Sequence, residues 1–130
     1  MLIFDSKICT GCRICEQTCF QVHYQGTVED GSKIKVASRW PVEETVTVCR
    51  QCTNPKCYVA CETEALRQVH GVIQVDREKC TQCYLCLDAC PFKVRVIDQK
   101  GYPVFCDTCA GKYKCAQMCP TKALKRGGLQ

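Results

Sequence analysis

Sixteen of the 130 residues are cysteine, and all sixteen fall into four groups of four. The groups are Cys9-x2-Cys12-x2-Cys15-x3-Cys19, Cys49-x2-Cys52-x4-Cys57-x3-Cys61, Cys80-x2-Cys83-x2-Cys86-x3-Cys90 and Cys106-x2-Cys109-x5-Cys115-x3-Cys119. Each begins Cys-x2-Cys and ends Cys-x3-Cys, and no cysteine is left over. A repeat that uses every member of a residue type points to members that act together. Thiolates are soft donors, so the chemistry on offer is that of a soft metal, a disulfide or a redox dithiol.

The spacing chooses among these. The third group, followed by Pro91, is the Cys-x2-Cys-x2-Cys-x3-Cys-Pro run that wraps cubane iron–sulfur clusters. A tight loop with a cysteine at every third residue lays three thiolates on one face of a cube, and its N–H groups point at the sulfides. The fourth cysteine, entering a helix, turns away and reaches a second cube, so two motifs exchange their last ligands. Structural zinc sites instead use two Cys-x2-Cys halves a dozen or more residues apart. A disulfide scaffold needs an oxidising compartment, and a thioredoxin-type motif would not recur through sixteen cysteines. Four motifs exchanging in pairs hold four [4Fe–4S] clusters. Three pairings are open; the hairpin expected between the second and third motifs favours joining those two, which leaves the first with the fourth.

The elements that position these loops are short. Strands are expected at Leu2 to Phe4, Lys33 to Ser38 and Thr45 to Val48, where polar and apolar residues alternate. Leu66 to Val69 and Val72 to Val75 form a hairpin about His70-Gly71, and Lys93 to Ile97 with Tyr102 to Phe105 a second, Pro103 placing the last strand at an edge. Helices are expected over Cys12 to Val22, Pro55 to Leu66, and Lys114 to Leu124 with a break near Pro120. The tail from Arg126 to Gln130 is expected to fray.

Aromatic residues make up 8% of the chain, with a single Trp, so a conventional core is thin and the cysteines must help hold the fold. The start, Met1 to Lys7, lacks the pattern of a secretory signal, and no apolar run reaches the ~20 residues that span a bilayer. A cytoplasmic protein with no membrane span is expected, in a compartment that keeps thiols reduced. The formal charge of +5 counts cysteines as neutral. Sixteen ligating thiolates bring about −16 and four oxidised cores return about +8, giving about −3. With no nucleic-acid-reading motif present, no nucleic-acid partner is expected.

With these motifs in view, the chain resembles the four-cluster ferredoxin-like iron–sulfur subunits of large oxidoreductase complexes, over about residues 1–124. The likeness is carried by Cys9-Thr10-Gly11-Cys12-Arg13-Ile14-Cys15, by Cys49 to Cys57 with its Pro55, by Phe105 to Cys109, and by Cys115 to Leu124. The resemblance implies an α+β, ferredoxin-like fold, a pseudo-symmetric pair of 2[4Fe–4S] modules with short helices and β-hairpins. One polyferredoxin-like domain would cover residues 1–130, with an inner module at about 46–100 and an outer module from about 1–45 and 101–125. It implies ligand sets of Cys9, Cys12, Cys15 and Cys119; Cys106, Cys109, Cys115 and Cys19; Cys49, Cys52, Cys57 and Cys90; and Cys80, Cys83, Cys86 and Cys61. Relatives that replace a cysteine of the third motif carry a three-iron cluster; here all four are present. Glu62 follows Cys61 where the family usually has Pro, which bears on the shielding of that cluster, and Phe20 follows Cys19.

The function so implied is one-electron relay by a subunit that makes and breaks no substrate bonds. His23 to Gly26 with Ser32 to Val36 is similar to small subunits that accompany tungsten- or molybdenum-pterin aldehyde oxidoreductases. The expected partners are such a large catalytic subunit and an electron carrier, a ferredoxin or a flavin subunit. Hydrogenase, formate dehydrogenase and carbon monoxide dehydrogenase complexes, or a free-standing polyferredoxin, are the alternatives. No nucleophile–base pair or Gly-rich phosphate loop points to catalysis. His23 and His70 read as loop residues rather than ligands, Trp40 and Tyr24 as packing or subunit contacts, and Arg13, Arg50, Lys56, Lys93 and Lys112 as a solvated basic face. Because every cysteine belongs to a motif, anaerobic native protein should show no thiol open to alkylation. All sixteen should react after acid and chelator treatment, and a shortfall that only a disulfide reductant restores would contradict the assignment.

Overall fold

The computed structural model describes residues 2–23, 32–38, 41 and 43–127. Trp40, Tyr24 and the rest of the 24–31 segment, with the last three residues of the tail, lie outside them. Three antiparallel strand pairs and four short helices build the described chain. The first pair joins the two ends: β1 (Leu2–Phe4) lies against β6 (Leu124–Arg126), with Phe4 opposite Leu124. The second pairs β2 (Ile34–Ala37) with β3 (Thr45–Val48), Ile34 opposite Val48 and Val36 opposite Val46. These four are buried while Lys35 points out, the alternation a half-buried strand requires. The third is the hairpin β4 (Leu66–Val69) and β5 (Val72–Val75). Its turn residues His70 and Gly71 both have positive φ, 50° and 77°, as a two-residue turn matching the strand twist demands.

The helices follow the cysteine motifs: α1 (Ile14–His23), α2 (Lys56–Ala60), α3 (Leu85–Asp88) and α4 (Lys114–Met118). Helix α1 packs on α4 and α2 on α3, so the first motif meets the fourth and the second meets the third. Two separate sets of buried side chains result. One gathers Leu2, Ile34, Val36, Val46, Val48, Tyr113 and Leu124 with Cys19, Cys106, Cys115 and Cys119. The other gathers Leu66, Ile73, Leu87 and Cys86, with Cys57 and Cys61 against it. Both cores are small and cysteine-lined. No helix among the described residues is long and apolar enough to cross a membrane.

Several expected elements are corrected. Helix α2 ends at Ala60 rather than running to Leu66, because Cys61 turns to extended backbone (φ −78°, ψ 102°). Helix α4 ends at Met118, beside the break expected at Pro120, and Leu124 opens a strand instead of closing a helix. In both places the turn frees the fourth cysteine's sulfur from the helix and aims it at a neighbouring loop. Residues 93–97 and 102–105 do not form a ladder: the one bridge is Ile97 with Pro103, held by Val104 N–H to Val96 and Asp98 N–H to Tyr102. Pro103 holds a position whose N–H would face away from residue 97, so its missing donor leaves this bridge intact and suits an outer edge. Strand β6 and helix α3 were not expected, and Arg126, assigned to the tail, is paired with Leu2.

Leu124 is 2% exposed and closes the chain's two ends on each other. Leu124→Ala should cost ~2–5 kcal/mol and lower the temperature at which visible absorbance is lost. Val59→Ala, at a side chain 78% exposed, should stay within about 0.5 kcal/mol in the same melt.

Candidate metal centre

The loops share a backbone device that composition does not reveal. The residue before each second cysteine is left-handed: Gly11 (φ 69°), Gln51 (52°), Gln82 (59°) and Thr108 (59°). Arg13, Tyr84 and Tyr113, two residues before the third cysteine of their motifs, are left-handed too, at 62°, 62° and 47°. Each such non-glycine residue costs about 1–2 kcal/mol and persists only where its surroundings over-determine it. What the turn supplies is a concavity of inward-facing N–H groups, the usual cradle of an anionic cluster. A Cβ at Gly11 would meet the Glu44 carboxyl at 2.8 Å, a flexible side-chain end that can move aside, so the positive φ is what favours glycine there.

The thiols themselves gather in fours. Burial pushes Cys15 up to about 11, and the sulfurs of Cys119, Cys12 and Cys9 add to the rise. Burial raises Cys106 to about 12, and Cys115, Cys19 and Cys49 raise it further. Cys115, also pushed up to about 12 by burial, lies near Cys19, Cys109 and Cys15. In the second core, burial raises Cys57 to about 11, and Cys49, Cys86 and Cys90 oppose its ionisation. Burial likewise raises Cys49, beside Cys52 and Cys90. Cys86 reaches about 11 by burial, with Cys61, Cys80 and Cys83 around it. None of the sixteen cysteines is joined to another by a disulfide. Quartets of thiols, each with a buried or half-buried member that resists ionisation, call for a cationic core between them, and soft, redox-active iron suits an all-sulfur donor set. The donor sets therefore fit [4Fe–4S] clusters.

Two of the fourth cysteines behave differently. Burial alone would raise Cys119, but the Leu124 N–H, the Thr121 hydroxyl and the Ala123 N–H outweigh it and hold the thiol below its ordinary value. At Cys61 burial is likewise overcome, by the Thr63 hydroxyl and the N–H groups of Leu66 and Ala65. Ala65 N–H lies 3.3 Å from Cys61 Sγ and Leu124 N–H 3.5 Å from Cys119 Sγ. The two segments, Cys61-Glu62-Thr63-Glu64-Ala65-Leu66 and Cys119-Pro120-Thr121-Lys122-Ala123-Leu124, follow one path, Glu64 and Lys122 both left-handed. Glu62 thus takes the course Pro120 takes. The difference is exposure: Cys119 is buried and Cys61 half-buried.

The basic residues near the motifs are not all a solvated face. Arg50 donates to the Leu2 carbonyl at 2.9 Å and lies over the Phe92 ring, joining the first core's strand to the third motif. Arg13, by contrast, is exposed and pairs with Glu16 at 3.4 Å. His70 is an exposed turn residue, as expected. His23 is not a plain loop residue. It ends α1 with its side chain 12% exposed, Nδ1 donating to the Cys19 carbonyl at 2.8 Å and Nε2 2.8 Å from the Asp107 carboxylate. Lys33 Nζ completes the set at 3.1 Å from Asp107, and its N–H donates to Cys19 Sγ at 3.3 Å. Burial would raise the Asp107 carboxyl, but the Cys109 N–H, Lys33 and His23 hold it below the usual range. His23, Asp107 and Cys109 offer ligand atoms within 4.8 Å of one another. With both nitrogens of His23 already engaged, the group braces Cys19 and the Cys109 loop. No spacing in the sequence joins residues 84 apart, so only the fold could reveal the pair.

Comparison with known proteins adds three likenesses and one family. Residues 42–129 match the family described as 4Fe-4S dicluster domain. The chain is 40% identical over 122 residues to the polyferredoxin-like subunit of aliphatic sulfonate oxidoreductase from Pyrococcus furiosus, covering 92% of this chain and 70% of that one. It is 32% identical over 147 aligned positions to the electron transfer subunit PhsB of thiosulfate reductase from Salmonella typhi, covering 99% and 76%. Formate hydrogenlyase subunit 2 of Escherichia coli is 29% identical over 161 positions, covering 95% and 79%.

The hydroxyl of Thr121 lies 3.8 Å from Cys119 Sγ. Thr121→Val should lower the midpoint of one redox centre by roughly 20–60 mV, the worth of one hydrogen bond to sulfur. A redox titration followed by electron paramagnetic resonance (EPR) reads the shift, and an unmoved midpoint would show the contact to be idle.

Proposed function

The chain belongs to the 4Fe–4S dicluster family, and from that premise we propose that it carries four [4Fe–4S] clusters and relays single electrons for a catalytic partner. The non-catalytic, electron-transferring character is that of the relatives it matches. The count of four and the ligand sets rest on the quartets: Cys9, Cys12, Cys15 and Cys119; Cys106, Cys109, Cys115 and Cys19; Cys49, Cys52, Cys57 and Cys90; Cys80, Cys83, Cys86 and Cys61. When bound, the clusters supply one-electron chemistry over a wide range of potentials.

The observation that carries the reading is the order of the sulfurs. Cys15 of the first quartet neighbours Cys115 of the second, Cys106 of the second neighbours Cys49 of the third, and Cys57 of the third neighbours Cys86 of the fourth. The quartets therefore follow one another in line. Cys12 and Cys83, in the two end quartets, are the two exposed cysteines. A line closed in the middle and open at both ends suits a wire between two partners better than a shuttle that meets one partner at a time. The two cores support a division into two ferredoxin-like modules related by pseudo-symmetry. Val46 and Val48 pack with the first core, which supports counting β3 with the outer module.

The partner we favour is a tungsten- or molybdenum-pterin oxidoreductase, with a ferredoxin or flavin subunit at the other end, in the cytoplasm, where sixteen thiolates stay reduced. The likeness to subunits of sulfonate and thiosulfate enzymes supports an oxidoreductase partner. The likeness to formate hydrogenlyase subunit 2 favours the second reading, a hydrogenase or formate complex. Anaerobic purification of the tagged chain from its native source tests the proposal. A large chain carrying tungsten or molybdenum should co-elute in equal amount. A nickel- or flavin-only partner would support the second reading, and the small chain alone would overturn both.

A further inference from the structure

Of the four cysteines that close the motifs, one lies inside a helix. Cys19 sits within α1, which runs on to His23, whereas Cys61 and Cys119 follow the last helical residue on extended backbone and Cys90 lies beyond the end of α3. The difference decides where each sulfur finds a donor. Cys61 and Cys119 take amides from their own following turns, Ala65 N–H at 3.3 Å and Leu124 N–H at 3.5 Å. The amides just after Cys19 point back along the helix to its carbonyls. Cys19 Sγ takes instead the Lys33 N–H at 3.3 Å, from the residue that leads into β2.

That imported donor is held from two directions. The Ser32 hydroxyl donates to the Ile34 carbonyl at 2.7 Å and accepts the Ile34 N–H at 3.3 Å, which shapes the backbone around Lys33. The Lys33 ammonium reaches Asp107 at 3.1 Å. The same carboxylate meets His23 Nε2 at 2.8 Å and accepts the Cys109 N–H at 3.0 Å. His23 Nδ1 donates to the Cys19 carbonyl at 2.8 Å, so the contacts close a ring that begins and ends on Cys19. Cys19 is 7% exposed and the His23 side chain 12%, so the end of the ring at the sulfur is shut off from water. Three segments therefore meet at one ligand: α1 supplies the sulfur, the approach to β2 the amide, and the Cys106 loop the carboxylate that holds the amide's own side chain.

We propose that Lys33 is a positioning residue for one redox centre: the Asp107–His23 brace on its ammonium holds its N–H against Cys19 Sγ, and that hydrogen bond raises the potential of the centre that Cys19 ligates. The inference rests on the four-cluster reading above, in which Cys19 joins Cys106, Cys109 and Cys115. A hydrogen bond to a ligating sulfur favours the more negative, reduced form of a cluster, and so lifts its midpoint. The electron comes from a one-electron donor such as dithionite and goes to iron; no bond to sulfur forms or breaks. Lysine suits the task because its backbone serves the sulfur while its ammonium donates to a carboxylate; methionine has an unbranched apolar chain and no such donor.

The test uses the full cluster-loaded chain, labelled with nitrogen-15 at the lysine backbone nitrogen, and the variants Lys33→Met and His23→Leu. Redox titration followed by EPR reads each midpoint, and hyperfine spectroscopy of the reduced centres reads the coupling of the Lys33 amide. In the wild type one reduced centre is expected to show that coupling. His23→Leu leaves Lys33 in place but removes part of its brace. It is expected to weaken the coupling and to lower one reduction equilibrium constant about two- to tenfold, tenfold being about 59 mV for one electron, with iron content and the other midpoints unchanged. Lys33→Met is expected to lower the same midpoint. No lysine amide coupling in the wild type, or wild-type coupling and midpoint in His23→Leu, would overturn the proposal and leave the four-cluster reading standing. A fall confined to Lys33→Met would also overturn it, assigning the effect to the ammonium charge alone. Loss of iron from both variants would overturn it too, assigning the ring to cluster retention. Wild-type protein with far fewer than about sixteen irons per chain would fail the underlying reading and the proposal with it.

Discussion

Four thiolates cannot be held within reach of one another by a chain this small unless something cationic lies between them. Each sulfur pushes its neighbours toward the neutral form, and burial pushes the same way, so that Cys106 and Cys115 rise to about 12. Left to themselves, these sites would stay protonated and would gain nothing from proximity. Iron reverses the sign of the interaction: the features that oppose ionisation of the empty quartet become the features that grip a filled one. Binding free energy is then folding free energy, as in other small metal-built domains. The thin cores fit this view, since their largest fully buried side chains are only Leu2, Ile34 and Leu124.

The backbone is shaped around the same requirement. Twelve non-glycine residues among those described have positive φ, far denser than in ordinary domains, and most sit in or beside the cysteine loops. Their combined strain would unfold a domain of marginal stability if nothing repaid it. Amides turned toward sulfur at Cys19, Cys61, Cys106 and Cys119 show where the return is made. The fold outside the loops is correspondingly modest: among the described residues, three strand pairs, three helices no longer than five residues, and ion pairs that each keep at least one partner exposed, which limits what each is worth.

What could be read in advance followed what the chemistry fixes locally. Cys-x2-Cys and Cys-x3-Cys set both ligand type and loop size, so the motifs and the ferredoxin-like character were legible. So were β1, β2, β3 and the β4–β5 hairpin, each marked by alternation or by His70-Gly71. The helix end at Ala60 was not, because the helical pattern continues in sequence and no proline follows Cys61 as Pro120 follows Cys119. Contacts across long separations were also hidden. Nothing in spacing joins His23 to Asp107, Arg50 to Leu2, or Gln51 to Cys106, because each pair is brought together only by the packing of distant segments.

The claim on which all this depends is that the sixteen sulfurs bind iron–sulfur cubes that also hold the chain in shape. Mössbauer spectroscopy of anaerobically prepared, iron-57-enriched protein, normalised to chain concentration, tests it most directly. The account predicts about sixteen irons per chain, all in spectra of [4Fe–4S] type. A folded chain with zinc or no metal in place of iron, or one whose iron sits at isolated four-sulfur sites, would contradict it.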